Sequence, residues 1–307
     1  MVTLRPGFTV GRKIRALDDV RDADEIARYS LVVLHGNPTL TYALFTVAFI
    51  EQVAVPTMAR TLYRRNTGDI MAFPARRNAD TIVFFGQLLD HGPTSTVGRA
   101  WIERLNEIHS HFPLRNDDSL YTLSTLALDP HLMTTALGRS PFTCPELEAQ
   151  WQFWRAVARE QKIENIPETR ELMQQWRTDY EIREYEPSFE GRQVARSLID
   201  DFARSALPAP LRGYATAIIS AICPPRVREV HGLPEPNMVI RWALRAVVVA
   251  YSLSTPVRLV DLNRSFVREF GGTWIDPSDP ATVGYRRKRG RVEEESAPAA
   301  ESRSSVE

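Results

Sequence analysis

The side chains best suited to chemistry in this sequence are its six histidines: His35, His91, His109, His111, His131 and His231. No two of them have the spacing of a helical zinc pair. His109 and His111 are two residues apart. On a helix that step turns them about 200° from each other, so one metal cannot be shared between them. His109 follows Leu105 by four residues and precedes Phe112 by three, which places it on an apolar stripe. His111 then faces outward. A buried imidazole needs partners, because an unsatisfied polar group costs about 1–3 kcal/mol. Two readings stay open at this point. His109 is either a core histidine bonded to a carbonyl or a metal ligand whose second nitrogen is held by an acceptor.

A second group lies one helix earlier. Arg77, Thr81, Phe84 and Leu88 follow one another at steps of four, three and four. One guanidinium and one hydroxyl therefore sit at the polar end of an apolar stripe. Alone, such an arginine pairs with a surface carboxylate. Beside an inward His109 it outlines a cofactor pocket, since the arginine fork matches the carboxylates of a haem-like ligand. Apolar side chains would form the walls.

Other chemistries lack their residues. There is no nucleophile elbow, phosphate-binding loop or dinucleotide glycine fingerprint. Gly271-Gly272 is followed by Thr273-Trp274 and no helical pattern. Asp90-His91-Gly92 with Ser95 could be drawn as a hydrolytic group, but the strand–turn–helix setting is missing. His91 reads as a turn residue and His131, after Pro130, as a cap or surface residue. Two cysteines, Cys144 and Cys223, exclude a disulfide scaffold and a cysteine-rich zinc site. Basic and acidic residues balance at 38 each over 307 residues, which argues against a nucleic-acid binder.

The elements that must position these groups read as helix after helix, with little strand alternation. Thr39–Val55 is apolar nearly all round, as a central helix is. Thr81–Leu89 is the next apolar helix. Thr96–Phe112 is amphipathic, with Val97, Trp101, Leu105, Ile108, His109 and Phe112 on its stripe. Asn116 reads as an N-cap for a helix over Leu120–Leu128 that ends at Asp129-Pro130. Pro145 opens Glu146–Gln161. Pro167 opens a helix with Leu172, Trp176 and Tyr180 inward. Val194, Leu198 and Phe202 mark another, and Leu211–Ile222 and Met238–Leu253 complete the set. No repeat recurs at a period of 20–50 residues.

The expected fold is all-α, a single large helical domain over 1–277 with a disordered charged tail over 278–307. The tail holds five basic residues within Arg286–Arg291, then Glu293–Glu295 and a small, polar end. Residues 1–25 lack the apolar core of an export signal. The uncharged run Leu40–Ile50 is shorter than the ~20 residues of a spanning helix. It reads as a core helix, with a helix in a membrane interface as the alternative. The expected location is cytoplasmic, with peripheral membrane contact and no spanning helix.

The region Arg76–Pro130 resembles the catalytic domain shared by the fungal oxygenase MpaB and the bacterial rubber oxygenases. Four elements carry the resemblance: Arg77 with Thr81; Asp90-His91-Gly92; Arg104-Leu105-Asn106-Glu107-Ile108-His109; and Asn116, Asp118 and Leu120-Tyr121-Thr122-Leu123-Ser124. It extends upstream through Val55-Pro56 and Thr67-Gly68 and downstream to about residue 255.

The resemblance implies a globin-related haem-binding bundle and an oxidoreductase. It implies haem b as cofactor, with His109 as its iron ligand and Arg77 and Thr81 as pocket and catalytic residues. It also implies oxidative cleavage of a carbon–carbon double bond, with O2, in an apolar isoprenoid-like small molecule. Rubber oxygenases have a lysine directly before that threonine; here the position is Asp80, so MpaB-like proteins are the nearer group. The alternatives are a non-catalytic helical protein that binds haem or an apolar ligand, and an interaction module working through the Arg286–Arg291 patch.

Overall fold

Six of the described α-helices begin where the sequence supplies a side-chain cap. Asn37, Ser95, Thr169, Ser188 and Asn237 each accept a backbone N–H from the turn they open. Thr143 and Glu146 cap each other reciprocally. The computed structural model describes residues 3–270 and 279–285. Its first helices are α1 (Gly7–Ile14), α2 (Ala23–Ala27), α3 (Pro38–Gln52), α4 (Pro56–Tyr63) and α5 (Asp69–Ala72). Next come α6 (Pro74–His91), α7 (Thr96–His109), α8 (Asn116–Ala136), α9 (Cys144–Glu160) and α10 (Arg170–Glu184). The last are α11 (Phe189–Ser205), α12 (Ala215–Ile222), α13 (Pro225–His231), α14 (Met238–Ser254) and α15 (Phe266–Phe270). A π-helical turn, Arg28–Leu34, joins α2 to α3. One antiparallel pair, β1 (Leu4–Pro6) with β2 (Leu259–Asp261), ties the N-terminal end to the segment after α14. The all-α expectation holds.

Two large apolar clusters meet at α3 and α8. One gathers α3, α4, α11 and α12 around Tyr121 and Tyr180. The other gathers α6 to α9 around Trp101, Trp151 and Phe153. Thr46–Gln52 of α3 is buried at every position, so Leu40–Ile50 belongs to a core helix. Among the described residues no single helix is long and apolar enough to cross a membrane. Ala23–Leu34 with Pro38–Gln52 passes as a pair by length and composition, bent by 115°.

Three boundaries differ from the sequence reading. Helix α8 does not stop at Pro130 but runs through it to Ala136. Core packing on both sides, with Asp129 held by Arg177 and Met133 buried, outweighs the local cost of an internal proline, ~3 kcal/mol. Asn116 is not the cap; its amide pairs with the backbone of Glu164, at 2.8 and 3.1 Å. Pro167 lies before α10, which Thr169 opens, and the buried stripe is Met173, Arg177 and Tyr180, with Leu172 outside.

One part of the 278–307 region is described. Asp279–Tyr285 packs onto α6 and α7, with Val283 fully buried. Arg104 donates to the Tyr285 carbonyl at 2.8 Å, and Tyr285 meets Phe112 edge-on at 5.3 Å. Apolar Val283 and Tyr285 give this stretch buried area to offset the entropy of ordering it. The Arg286–Arg291 patch lies outside the described residues.

Candidate active site

The candidate site is assembled by the α6–α7 hairpin. Pro74 occupies the first turn of α6, and the helix ends at Gly92 with φ +82°. Ser95 then opens α7 by accepting from the Gly98 amide at 2.9 Å. A Cβ on Gly98 would lie 2.1 Å from the Gly92 carbonyl oxygen, so the two helices close this tightly only over glycine. Asp90 of the Asp-His-Gly turn accepts from Ser265 Oγ and the Phe266 and Val267 amides, and so caps α15. His91 is exposed. The turn is structural and forms no hydrolytic group.

The hairpin brings the three expected residues together. Arg77 donates to Thr81 Oγ1 one turn along α6, and Thr81 in turn donates to the Arg77 carbonyl at 3.0 Å. The Arg77 guanidinium lies over the Phe49 ring, 5.4 Å from its centre. Burial lowers its pKa while Asp80 and Asp69 hold it up. His109, at the end of α7, is partly buried. Desolvation of its ring, and then the charge of Arg77, push its pKa down to about 4. The imidazole is therefore neutral at physiological pH. His111 is exposed and bonds the Glu107 carbonyl at 2.8 Å, as its outward position requires.

The remaining motif residues brace this arrangement. Asn106 reaches the Glu160 carbonyl at 3.3 Å, tying α7 to the end of α9. Arg104 holds the Asp279–Tyr285 segment through the Val283 and Tyr285 carbonyls. The Gly284 amide donates to Asp80 Oδ2 at 3.2 Å, so Asp80 serves as an anchor for that segment. Arg64, Arg65 and Asn66 are consecutive left-handed residues, with φ of 45°, 55° and 70°. Such strain in non-glycine residues persists only where the surroundings impose it. Here it carries the Arg64 guanidinium over Phe112 and Tyr285, at 4.9 and 5.2 Å.

An apolar cavity of about 130 Å3, partly open to solvent, lies against the other face of α6. Leu44, Phe45, Ile82, Phe85, Leu126 and Trp154 form much of its wall. Neither His109 nor Arg77 lines it. The two sites are neighbours through Ile82, which follows Thr81, and through Phe45, which packs on Phe49 at 5.4 Å. Sequence spacing showed the Arg77 stripe but not this cavity, whose walls come from α3, α6, α8, α9, α15, the π-helical turn and the loop before α9.

Behind the cavity stands a buried ionic group. Arg177 donates to Glu51 Oε2 at 2.5 Å, to Asp129, and to Glu181 Oε1 at 2.7 Å. Burial and the facing Asp129 push Glu51 well up, and burial lifts Asp129 to about 6. Glu51 Oε1 and Asp129 Oδ2 both lack a conventional donor. One proton held between the two carboxyls would satisfy both.

The donor set fits haem. It offers one neutral imidazole and one guanidinium beside a hydroxyl, and a single protein nitrogen suffices when a porphyrin supplies the other ligands. No group of three or more His, Cys, Asp or Glu that could hold a bare metal ion occurs among the described residues.

The sequence over residues 33–253 matches the family described as ER-bound oxygenase mpaB/B'/Rubber oxygenase, catalytic domain. The chain belongs to this family. Membership supports an oxygenase, an oxidoreductase that takes O2 and a small-molecule substrate. The solved structure of latex clearing protein LCP in the closed state shares the fold, with a TM-score of 0.54. That match covers 84% of this chain and 75% of the other at 16% identity. No curated protein sequence matches the chain.

Proposed function

We propose that this mpaB/rubber oxygenase family member is a haem b-dependent oxygenase that cleaves a carbon–carbon double bond in an apolar, isoprenoid-like molecule. The observation that carries the reading is the neutral His109 beside the Arg77–Thr81 pair. His109 Nε2 would be the iron ligand, and its low pKa keeps the lone pair free of a proton near neutral pH. Arg77 would pair with a haem carboxylate, which would also offset the burial of its charge. Thr81 fixes the guanidinium from one turn away. When bound, haem supplies the O2 chemistry. The protein's part is to bind, to orient and to keep water out.

Asp80 cannot act as the lysine of rubber oxygenases does, because a carboxylate has no ammonium to offer. Its contact with the Gly284 amide instead supports a role in closing the site from the C-terminal side. The adjacent cavity suits an apolar chain. Incubation of the haem-loaded protein with an isoprenoid under isotopically labelled O2 tests the reading. Labelled carbonyl products support it; intact substrate after prolonged incubation with a reduced, O2-exposed haem protein counts against it.

The reading includes peripheral membrane contact, through α14. Val239, Trp242 and Val247 are 77%, 62% and 65% exposed, and Val257 follows at 75%. Residues 236–260 contain Arg241, Arg245 and Arg258 and no acidic residue. An apolar face with tryptophan and arginine matches an anionic lipid surface.

A further inference from the structure

His35 stands apart from the His109–Arg77 group and is built into the cavity wall at the end of the π-helical turn. Turns of this kind are often found at functional sites. His35 is 6% exposed, and neither ring nitrogen has a hydrogen-bond partner among the described residues. Glu146 Oε1 stands 3.9 Å from Nε2, beyond hydrogen-bonding distance. The other Glu146 oxygen is already taken by the Thr143 amide and hydroxyl, at 2.8 and 2.6 Å. Phe142 and Tyr251 hold the ring edge-on, at 5.0 and 6.3 Å. Burial, then the charge of Arg258, lowers its pKa to about 3, so the ring is neutral. A doubly unsatisfied buried imidazole calls for a missing partner.

The other polar groups of the wall narrow the choice. Thr125 donates to the Thr122 carbonyl and accepts from Gln52, and Thr134 donates to the Pro130 carbonyl. Asp129 is engaged by Arg177 through Oδ1, and its charge acts on Glu51. What is left is the half-buried Thr41 hydroxyl and two buried groups without a partner, His35 and the indole N–H of Trp154. A neutral imidazole offers one donor and one acceptor, and an indole one donor. A hydroxyl both accepts and donates, and so answers this set. A hydrocarbon satisfies none of it. A carboxylate would enter an apolar space already flanked by Asp129 and Glu146.

We propose that this cavity binds an apolar molecule ending in an uncharged hydroxyl, with His35 holding that end. Treating such an alcohol as the substrate rests on the oxygenase reading; the binding itself does not. His35 is then a specificity-determining residue that selects an isoprenoid alcohol over the corresponding hydrocarbon or acid.

The test uses three probes with the same carbon count: geraniol, myrcene and geranate. Calorimetric titration of the full chain near neutral pH, with and without added haem, gives their affinities. Geraniol should bind one to one and about tenfold tighter than myrcene, the ratio one hydrogen bond of ordinary net strength gives. Geranate should bind more weakly than geraniol. His35→Leu should bring geraniol and myrcene within about twofold of each other while myrcene affinity is kept. Leu44→Trp, which fills the cavity, should abolish binding of all three with the helical circular dichroism unchanged. The proposal is overturned if the wild-type protein binds none of the probes, binds geraniol and myrcene equally, or keeps its preference in His35→Leu. Geraniol binding without haem uptake sinks the oxygenase reading and leaves this site standing; haem uptake without geraniol binding does the reverse.

Discussion

Replacing Arg177 with methionine tests the buried ionic group most sharply. The guanidinium is 6% exposed and meets three carboxylates, two of them, Glu51 and Asp129, at 1% and 2% exposure. Methionine keeps much of the length and removes the charge. Breaking a buried pair from one side costs about 3–5 kcal/mol, because the charge left behind has no partner. The cost should depend on pH. Asp129 has its folded pKa raised from 3.8 to about 6, so its stabilising share is complete below 3.8 and is lost as pH rises through about 6. Without the cation the two carboxyls move further up, and the window of loss extends to higher pH. Arg177→Met should therefore lie closer to the wild type at about pH 5 than at about pH 8. Urea unfolding followed by tryptophan fluorescence at both values gives the difference. A cost below about 1 kcal/mol, or one that is the same at both pH values, would refute the reasoning.

Two further outcomes are expected. His35 and His231 are almost fully buried, with pKa values lowered from 6.5 to about 3 and about 4, so their contribution is complete above 6.5 and is lost as pH falls. Each should cost about 2 kcal/mol at pH 5. His231→Gln should remove one such share from the pH dependence of the urea midpoint, and a variant that keeps the wild-type pH dependence between pH 5 and pH 7 would contradict this. For α14, the protein should sediment with vesicles containing phosphatidylglycerol and less with pure phosphatidylcholine. Val239→Glu with Trp242→Glu should abolish sedimentation, and sedimentation that persists would move the contact elsewhere.

Helical periodicity was informative because burial of one face leaves a trace in spacing. It located α3, α7, α9 and α11 and placed His109 inward and His111 outward. It failed where tertiary contacts override local preference. Pro130 reads as a stop, yet packing on both sides carries α8 through it. Leu172 reads as core, yet Arg177 takes the interior because Glu51, Asp129 and Glu181 wait for it from two other helices and its own. Charged residues on a helix look alike until their partners are known. The Arg77–Thr81 spacing showed half of the site, but the cavity was illegible because its walls are gathered from distant segments. His35 could have been noticed as a polar residue closing the apolar run Leu31–Leu34. Asp80 showed only as a departure from a family pattern; its use as an anchor for Gly284 depends on a contact 204 residues away.

The central claim is that His109 is the haem ligand, and an absorption spectrum tests it directly. Purified protein supplied with haem should show a Soret band. His109→Ala, with unchanged circular dichroism, should weaken or lose that band, while His111→Ala, two residues along and exposed, should keep it. A wild-type protein with no haem absorbance, or a His109→Ala spectrum identical to the wild type, would contradict the account.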